Sequence, residues 1–266
     1  MHLRFVMIAL LGCADTLVGC GARPVSPAAA AVTWLEVEGA RMLVTTTRAA
    51  RGGPVDALPM LIVLPSAGST PAEALAEVGY VDIEVPARVV AIEGFEPDGA
   101  GSSWWRRTRP APDDPDRDAE LVGLLTDRAS RLAALVDVVR RRLGAASPPV
   151  VSGISQGGDL SIALGLLHPA DIAAALPIAA RFPAPLWPRP AEPGTALPLV
   201  DAFQGTADRV APVAALERAS AALRGRGYPV VIHTYDGVAH EVSPAERADV
   251  RACAALRLRG SHEPCL

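Results

Sequence analysis

The sequence lacks the features that mark several large classes of protein. Basic residues are not in excess: Lys and Arg together number 25 and Asp and Glu 29, and the net charge of -4 offers no basic surface to nucleic acid. The glycine patterns GxGxxG and GxxxxGKS/T are absent, as is any repeat of fixed period. These absences exclude a nucleic-acid partner, a dinucleotide- or triphosphate-binding protein of the usual kind, and a repeat architecture.

A long hydrophobic run is also missing, because the apolar stretch near the start, residues 5–11, is too short to span a bilayer. It follows a weakly basic start and has the length of a signal-peptide core. Leu17-Val18-Gly19-Cys20 then resembles the lipobox of bacterial lipoproteins. We therefore expect a signal peptide with lipobox over 1–20, lipidation of Cys20, a Pro- and Ala-rich linker over 21–31, and a folded domain over 32–266. The alternatives are an earlier lipobox at Leu10-Leu11-Gly12-Cys13, which leaves an unusually short signal, and a buried N-terminal strand or helix.

Cysteine is scarce as well, with four in the chain. If Cys13 is removed and Cys20 lipidated, Cys253 and Cys265 remain, and an oxidising compartment permits a disulfide between them. The alternative is a buried Cys253 with a free Cys265. No Cys or His pairs at ligand spacing lie nearby, so no metal site is predicted.

The rest of the chain is half hydrophobic and one-fifth charged, which is typical of a globular domain. Apolar runs alternate with amphipathic segments, which predicts an α/β fold with a mostly parallel central sheet covered by helices on both faces. Strands are predicted at 34–37, 42–47, 59–64, 88–92, 149–153, 172–178, 197–203 and 230–235, and helices from 71, at 118–143, 156–167 and 212–223, and from 244. The stretches 93–117 and 181–195 fit neither element. Ligand sites on such sheets lie beyond the carboxyl ends of the strands.

A candidate nucleophile lies at one of these carboxyl ends. Gly153-Ile154-Ser155-Gln156-Gly157 places G-x-S-x-G between a β-branched strand and a helix, the setting in which this motif exposes a reactive serine. Small flanking residues relieve crowding at the sharp turn. Ser152, the local competitor, lies inside the strand without flanking glycines.

A serine hydroxyl needs a base, and His240 lies in the loop between the last strand and the last helix, at the same predicted sheet edge. Asp208 follows the strand that ends at Phe203 and is the candidate acid that orients the base. The alternatives are a solvated surface histidine and an ordinary turn aspartate, and Asp236 and Asp201 are the other candidate acids. The chain order Ser155, Asp208, His240 is that of α/β-hydrolases.

A third element follows the predicted strand 59–64. Pro65-Ser66-Ala67-Gly68 is a run of small residues that lets backbone N–H groups approach a substrate carbonyl. One of these N–H groups, together with that of Gln156, would form an oxyanion hole.

With these stretches placed, the chain resembles the carboxylesterase/phospholipase branch of the α/β-hydrolases, which includes the acyl-protein thioesterases, over roughly 59–253. The elbow Gly153–Gly158, the acid motif 204–212 and the histidine loop 237–243 carry the resemblance. It implies a domain without a large cap, hydrolysis of carboxylic esters or thioesters without metal or cofactor, and an oxyanion donor at Ala67. Two positions depart from the family pattern: Pro65-Ser66-Ala67-Gly68 replaces His-Gly-x-Gly, and Gln204 replaces a histidine.

Substrate and partners are predicted more coarsely. A small-molecule ester or thioester is the expected substrate, and the lipid anchor is the expected membrane contact of an exported bacterial lipoprotein. Trp104 and Trp105 either wall a substrate pocket or pin their loop to the core. Arg106, Arg107 and Arg109 either favour an anionic substrate or form a solvated charge run. A non-catalytic binding protein and a peptidase on the same scaffold are the alternative classes.

Overall fold

The computed structural model describes residues 32–51, 53, 56–106, 117–183, 186, 190 and 194–265. The signal peptide, the lipidated Cys20 and the linker predicted before residue 32, together with Arg107 and Arg109, lie outside these residues. Ten strands are described: β1 Thr33–Val37, β2 Ala40–Thr46, β3 Met60–Leu64, β4 Arg88–Ile92, β5 Glu96–Asp98, β6 Gly101–Ser103, β7 Val150–Ile154, β8 Ala174–Ile178, β9 Leu199–Gly205 and β10 Val230–Tyr235.

Eight of the strands form one mixed sheet in the order β1-β2-β4-β3-β7-β8-β9-β10. Strand β2 pairs antiparallel with both β1 and β4. The other six strands of this sheet run parallel to one another: β4, β3, β7, β8, β9 and β10. Every residue of β3, β7 and β8 is buried, because helices cover both faces of the sheet. The predicted mostly parallel α/β sheet is therefore confirmed.

The described ranges contain five α-helices, which cover the sheet: α1 Pro71–Val78, α2 Arg117–Arg142, α3 Gln156–Leu167, α4 Val213–Arg224 and α5 Pro244–Leu258. The apolar residues of α2, α3 and α4 belong to one buried cluster, and those of α1 and α5 belong to the cluster on the opposite face. No helix within the described ranges is both long enough and apolar enough to cross a membrane.

Two helices begin as their sequences predict. Thr70 caps α1 and Ser243 caps α5, each accepting the backbone N–H of a glutamate three residues on, whose carboxylate in turn accepts the N–H of the cap residue. A proline at the first position of each helix adds a preset φ and has no N–H to leave unpaired. These caps fix where the chain enters each helix.

The structure corrects the interpretation of 93–117 as irregular throughout. Glu96–Asp98 and Gly101–Ser103 form an antiparallel hairpin, and α2 begins at Arg117. The hairpin escapes sequence reasoning because Glu-Pro-Asp and Gly-Ser-Ser show no alternation of apolar and polar residues. It is joined to the turn after β3 by a bridge between Ser69 and Ser102.

The last residues are held against α5. Cys253 and Cys265 form a disulfide across a sequence separation of 12, which decides between the two alternatives for this pair. Arg257 is buried in an ion pair with Asp201 of β9, and its Nη1 also donates to the carbonyls of Ser261 and Glu263. One arginine therefore links the sheet to the C-terminal segment.

Candidate active site

Ser155 occupies the turn between β7 and α3. Its φ of 53° and ψ of -115° are dihedrals that L-residues rarely adopt, and its backbone N–H donates to Ile178 O of β8 at 2.9 Å. The strained turn lies at the carboxyl edge of the sheet with the hydroxyl half-buried. The structure thus forms the strand–turn–helix that G-x-S-x-G predicts.

The glycines around Ser155 are required by space. A Cβ on Gly153 would lie 2.2 Å from Gly157 O, and a Cβ on Gly157 would lie 2.2 Å from Leu64 O at the end of β3. Both neighbours are backbone atoms that cannot rotate away. The close approach of β3, β7 and α3 therefore depends on the absence of side chains at these two positions.

Three side chains that are distant in sequence meet at this edge. His240 Nε2 lies 3.0 Å from Ser155 Oγ, and His240 Nδ1 lies 2.8 Å from Asp208 Oδ2. Because a carboxylate can only accept, Nδ1 carries the proton and Nε2 is left to accept from the serine hydroxyl. The structure brings together the three residues of the predicted triad in a chain of hydrogen bonds.

Asp208 is the most constrained of the three. Its Oδ1 accepts the N–H groups of Val210 at 2.7 Å and Ala211 at 2.9 Å, and its Oδ2 accepts from His240 and, at 2.9 Å, from Gln204 Nε2. Burial alone would raise the pKa of Asp208, but the hydrogen bonds from Ala211, His240 and Val210 hold that pKa below its usual value. Asp208 therefore remains ionised at neutral pH.

Gln204, one of the two departures from the family pattern, takes part directly in this arrangement. Its Nε2 donates both to Asp208 Oδ2 and, at 2.8 Å, to Ala211 O, so it ties the acid to the far side of its own turn. The sequence shows that a glutamine at position 204 is unusual, but its hydrogen bonds to Asp208 and Ala211 could be identified only from the structure.

The competing residues have other partners. Ser152 is buried and bonded to Tyr80 Oη at 2.6 Å and Leu176 O at 3.0 Å. Asp201 is ion-paired with Arg257, and Asp236 accepts from Thr206 Oγ1 at 3.1 Å. Each of these side chains therefore bonds to a partner other than His240.

The turn after β3 is held by the β5–β6 hairpin. The N–H of Gly68 donates to Ser102 O at 2.9 Å and to Ser103 Oγ at 3.1 Å. The amide of Gly68 is therefore engaged with the hairpin. The assignment of Ala67 and Gln156 as oxyanion donors stays a prediction.

Trp104 and Trp105 are both buried, with 1% and 6% of their surface exposed. Trp104 Nε1 donates to Pro65 O at 2.9 Å, and its ring contacts Phe95 edge-to-face at 5.2 Å between centroids. These contacts match the interpretation in which the pair pins its loop to the core. A role in a substrate pocket stays a prediction.

An ion pair beside Ser155 was missed by sequence reasoning. Asp159, in the first turn of α3, is buried and accepts from Arg181 N at 2.6 Å, Nε at 2.9 Å and Nη2 at 2.6 Å. Burial raises the pKa of Asp159, and the charges of Arg181 and His240 oppose that rise. The available signal was an acid inside an apolar helix and an arginine at the start of the proline-rich stretch 181–195.

Glu246 lies buried below the histidine loop, at the third position of α5. Its Oε2 accepts Ser243 N, while its Oε1 has no hydrogen-bond partner among the residues that the structure describes. Burial, opposed by the Ser243 hydrogen bond and reinforced by the charges of Asp208 and Asp249, raises the pKa of Glu246 to about 7. This carboxyl therefore changes charge near neutral pH.

Glu246→Gln should stabilise the protein in alkaline solution. The folded protein holds the Glu246 proton up to about pH 7, whereas an unfolded chain loses it near the ordinary glutamate pKa of 4.5, so stability falls as the pH rises between these values. Glutamine preserves the cap and removes the charge. Thermal unfolding should give nearly equal Tm values at pH 4, below both pKa values, and a higher Tm for the variant at pH 8, with roughly 2–4 °C of Tm for each kcal/mol of stability gained.

Glu73→Gln is the matched control, because Glu73 occupies the same capping position in α1 with its pKa lowered rather than raised. It should bring no gain at pH 8. If the pH slopes of Glu246→Gln and the native protein coincide, Glu246 does not titrate in this range.

One group of potential metal ligands occurs among the described residues: Asp201, His233 and Cys265. The ligand atoms of two of them already have partners, since Asp201 is ion-paired with Arg257 and Cys265 is bonded to Cys253. The group therefore offers no ready set of donors.

The chain was compared with protein-family models, curated protein sequences and solved structures. No protein-family model and no curated protein sequence matches the chain. Solved structures do: a carboxylesterase from Mesorhizobium loti has a TM-score of 0.63 at 18% identity, covering 84% of this chain and 98% of its own. The Bacillus cereus carboxylesterase has a TM-score of 0.62 at 17% identity, covering 82% and 94%.

Esterase 2 of Thermogutta terrifontis, in a form phosphorylated by paraoxon, has a TM-score of 0.59 at 14% identity, covering 90% of this chain and 98% of its own. At these identities the likeness concerns architecture alone. The chain therefore has the α/β-hydrolase fold, in the form found in small carboxylesterases.

Proposed function

We propose that the protein is a serine hydrolase that cleaves carboxylic esters or thioesters. The observation that carries the proposal is the pair of hydrogen-bond distances, 3.0 and 2.8 Å, that join Ser155, His240 and Asp208 at the carboxyl edge of the sheet. The esterase folds to which the chain is similar support the same reaction class.

Acylation begins when His240 Nε2 removes the proton of Ser155 Oγ. The oxygen then bonds to the substrate carbonyl carbon and gives a tetrahedral intermediate with a negatively charged oxygen. Asp208 holds Nδ1–H and stabilises the imidazolium. The imidazolium gives its Nε2 proton to the departing alcohol or thiol as the bond to that group breaks, which leaves an acyl-serine.

Deacylation repeats these steps with water. His240 removes a proton from a water molecule, whose oxygen attacks the acyl carbon. The second intermediate collapses by breaking the bond between the acyl carbon and Ser155 Oγ, the imidazolium returns its proton to Ser155 Oγ, and the carboxylic acid leaves. The N–H groups of Ala67 and Gln156 stabilise the oxyanion in both halves, a contribution worth about 3–4 kcal/mol for each donor lost. The N-terminal end of α3 adds its partial positive charge.

A fluorophosphonate probe tests the proposal, since an organophosphate is known to phosphorylate the similar Thermogutta esterase. The native protein should be labelled and should hydrolyse p-nitrophenyl esters or acyl thioesters, while Ser155→Ala should do neither. Ser152→Ala is the matched control, because Ser152 lies on β7, the strand that leads to Ser155, and is bonded elsewhere. It should keep the label.

Labelling that survives in Ser155→Ala would contradict the nucleophile assignment. A folded native protein that neither reacts nor hydrolyses would instead be a binding protein on a hydrolase scaffold.

The proposed lipid anchor can be tested with the same fluorophosphonate label. The labelled native protein should sediment with membranes, and Cys20→Ala should move the label to the soluble fraction. Unchanged sedimentation of Cys20→Ala would contradict lipidation at this cysteine.

A further inference from the structure

The oxyanion hole proposed above draws its two donors from separate segments. Gln156 is the first residue of α3, and Ala67 belongs to the turn after β3. An oxyanion bound by both requires a fixed spacing between the two segments. The glycine-rich sequence usual for the family after β3 is replaced here by Pro65-Ser66-Ala67-Gly68, so the spacing must be set in another way.

Trp104 contacts both segments. Its backbone N–H donates to Gln156 Oε1 at 3.0 Å, and its indole Nε1–H donates to Pro65 O at 2.9 Å, two residues before Ala67. Gln156 Nε2 also donates to the carbonyl of Trp105 at 3.3 Å. A single residue therefore contacts both segments, the turn after β3 through its indole and the Gln156 side chain through its backbone N–H.

The environment of Trp104 keeps it in place. The residue is 1% exposed and belongs to the main buried cluster, with its ring against Phe95. The two residues before it, Ser102 and Ser103, accept the N–H of Gly68 and so hold the next residue of the same turn. Backbone geometry at the turn is thus determined from the hairpin side.

We propose that Trp104 is a positioning residue that sets the spacing of the Ala67 and Gln156 amides. This inference rests on the proposed hydrolase function. It gives the buried indole a role in the transition state without contact with substrate. An amide displaced by about 1 Å loses much of its hydrogen bond to the oxyanion, and a displacement of that size can cost about 100-fold in rate.

Trp104→Phe tests the proposal. Phenylalanine keeps the backbone N–H to Gln156 and an aromatic ring against Phe95, but it removes the bond to Pro65 O. We expect kcat for an oxygen ester to fall by about 10- to 100-fold with KM little changed, because the bond that weakens forms mainly in the transition state.

The deciding readout is the ratio of kcat/KM for an oxygen ester to that for the thionoester with the same acyl and leaving groups. Sulfur accepts hydrogen bonds weakly, so aligned donors favour the oxygen ester. Misaligned donors should lower this ratio in Trp104→Phe. A loss of folded protein alone would reduce both rates equally and leave the ratio unchanged.

Tyr80→Phe is the control, because it deletes a buried hydrogen bond to Ser152 in the opposite cluster. It should lower Tm and leave the ratio unchanged. If Trp104→Phe does not fold, Ser103→Ala removes the side-chain acceptor of Gly68 N–H and should shift the ratio in the same direction.

A folded Trp104→Phe with the native ratio overturns the proposal, as does an unchanged ratio in Ser103→Ala when Trp104→Phe cannot be measured. Failure of the proposed function looks different: the native protein would then hydrolyse neither ester in a Ser155-dependent way.

Discussion

Asp208→Asn should lower kcat by about 10⁴-fold while the protein remains folded, the size of effect known for the equivalent change in a serine protease. The cause lies in the hydrogen bonds around the side chain. The N–H groups of Val210 and Ala211 require an oxygen at the Oδ1 position, so the new amide NH₂ must replace Oδ2.

That NH₂ would face two donors, Gln204 Nε2 and His240 Nδ1–H. The histidine relieves the conflict by moving its proton to Nε2, where it points at Ser155 Oγ. A protonated Nε2 cannot accept the serine proton, so the nucleophile is no longer activated. Stability should change far less than the rate, because the packing volume is preserved.

Steady-state kinetics on a p-nitrophenyl ester, together with thermal unfolding, measure both effects. Asp236→Asn provides the control, since Asp236 is the neighbouring acid and bonds to Thr206; its kcat should match that of the native protein. An Asp208→Asn enzyme with kcat within tenfold of native would mean that another group orients His240.

Gly157→Ala should damage both stability and catalysis. The added Cβ would lie 2.2 Å from Leu64 O and 2.7 Å from Pro65 O, so α3 must shift away from β3 or the turn must move. Overpacking of this kind costs about 1–3 kcal/mol and occasionally more. Because both segments carry proposed oxyanion donors, kcat/KM should fall by about 100-fold or more.

Gly165→Ala, in the same helix, is the matched control. A Cβ there meets Ile172 Cδ1 at 3.5 Å and Ala175 Cβ at 3.7 Å, which are ordinary contacts. Alanine in a helix interior should therefore stabilise the protein by about 0.5–1 kcal/mol with activity retained. Equal Tm values for the two alanine variants would show that the elbow has more room than these distances imply.

The sequence predicts the elements that carry a strong local pattern. The strands Arg88–Ile92 and Val230–Tyr235 and the helix Gln156–Leu167 have the bounds that their residues predict. Each combines an apolar run of suitable length with a clear stop, such as His168-Pro169 after α3. The β5–β6 hairpin is the counterexample, because its short polar strands are stabilised by contacts with a turn some thirty residues earlier.

The candidate site likewise contains residues that the sequence predicts and contacts that it does not. Ser155, Asp208 and His240 are recognisable because each follows a predicted strand, and the carboxyl ends of parallel strands meet at one edge. The contacts of Gln204 with Asp208 and of Trp104 with Pro65 join side chains to partners chosen by the fold. No local sequence pattern predicts these two contacts, because a glutamine or a tryptophan in another fold would be solvated or buried with different partners.

Arg257 holds the C-terminal segment close to α5, where the disulfide between Cys253 and Cys265 forms. By holding Asp201 on one side and the carbonyls of Ser261 and Glu263 on the other, it fastens the tail to the sheet through noncovalent contacts that are separate from the disulfide. Contacts of this kind raise the effective concentration of one thiol at the other, so the fold itself favours the bond between Cys253 and Cys265.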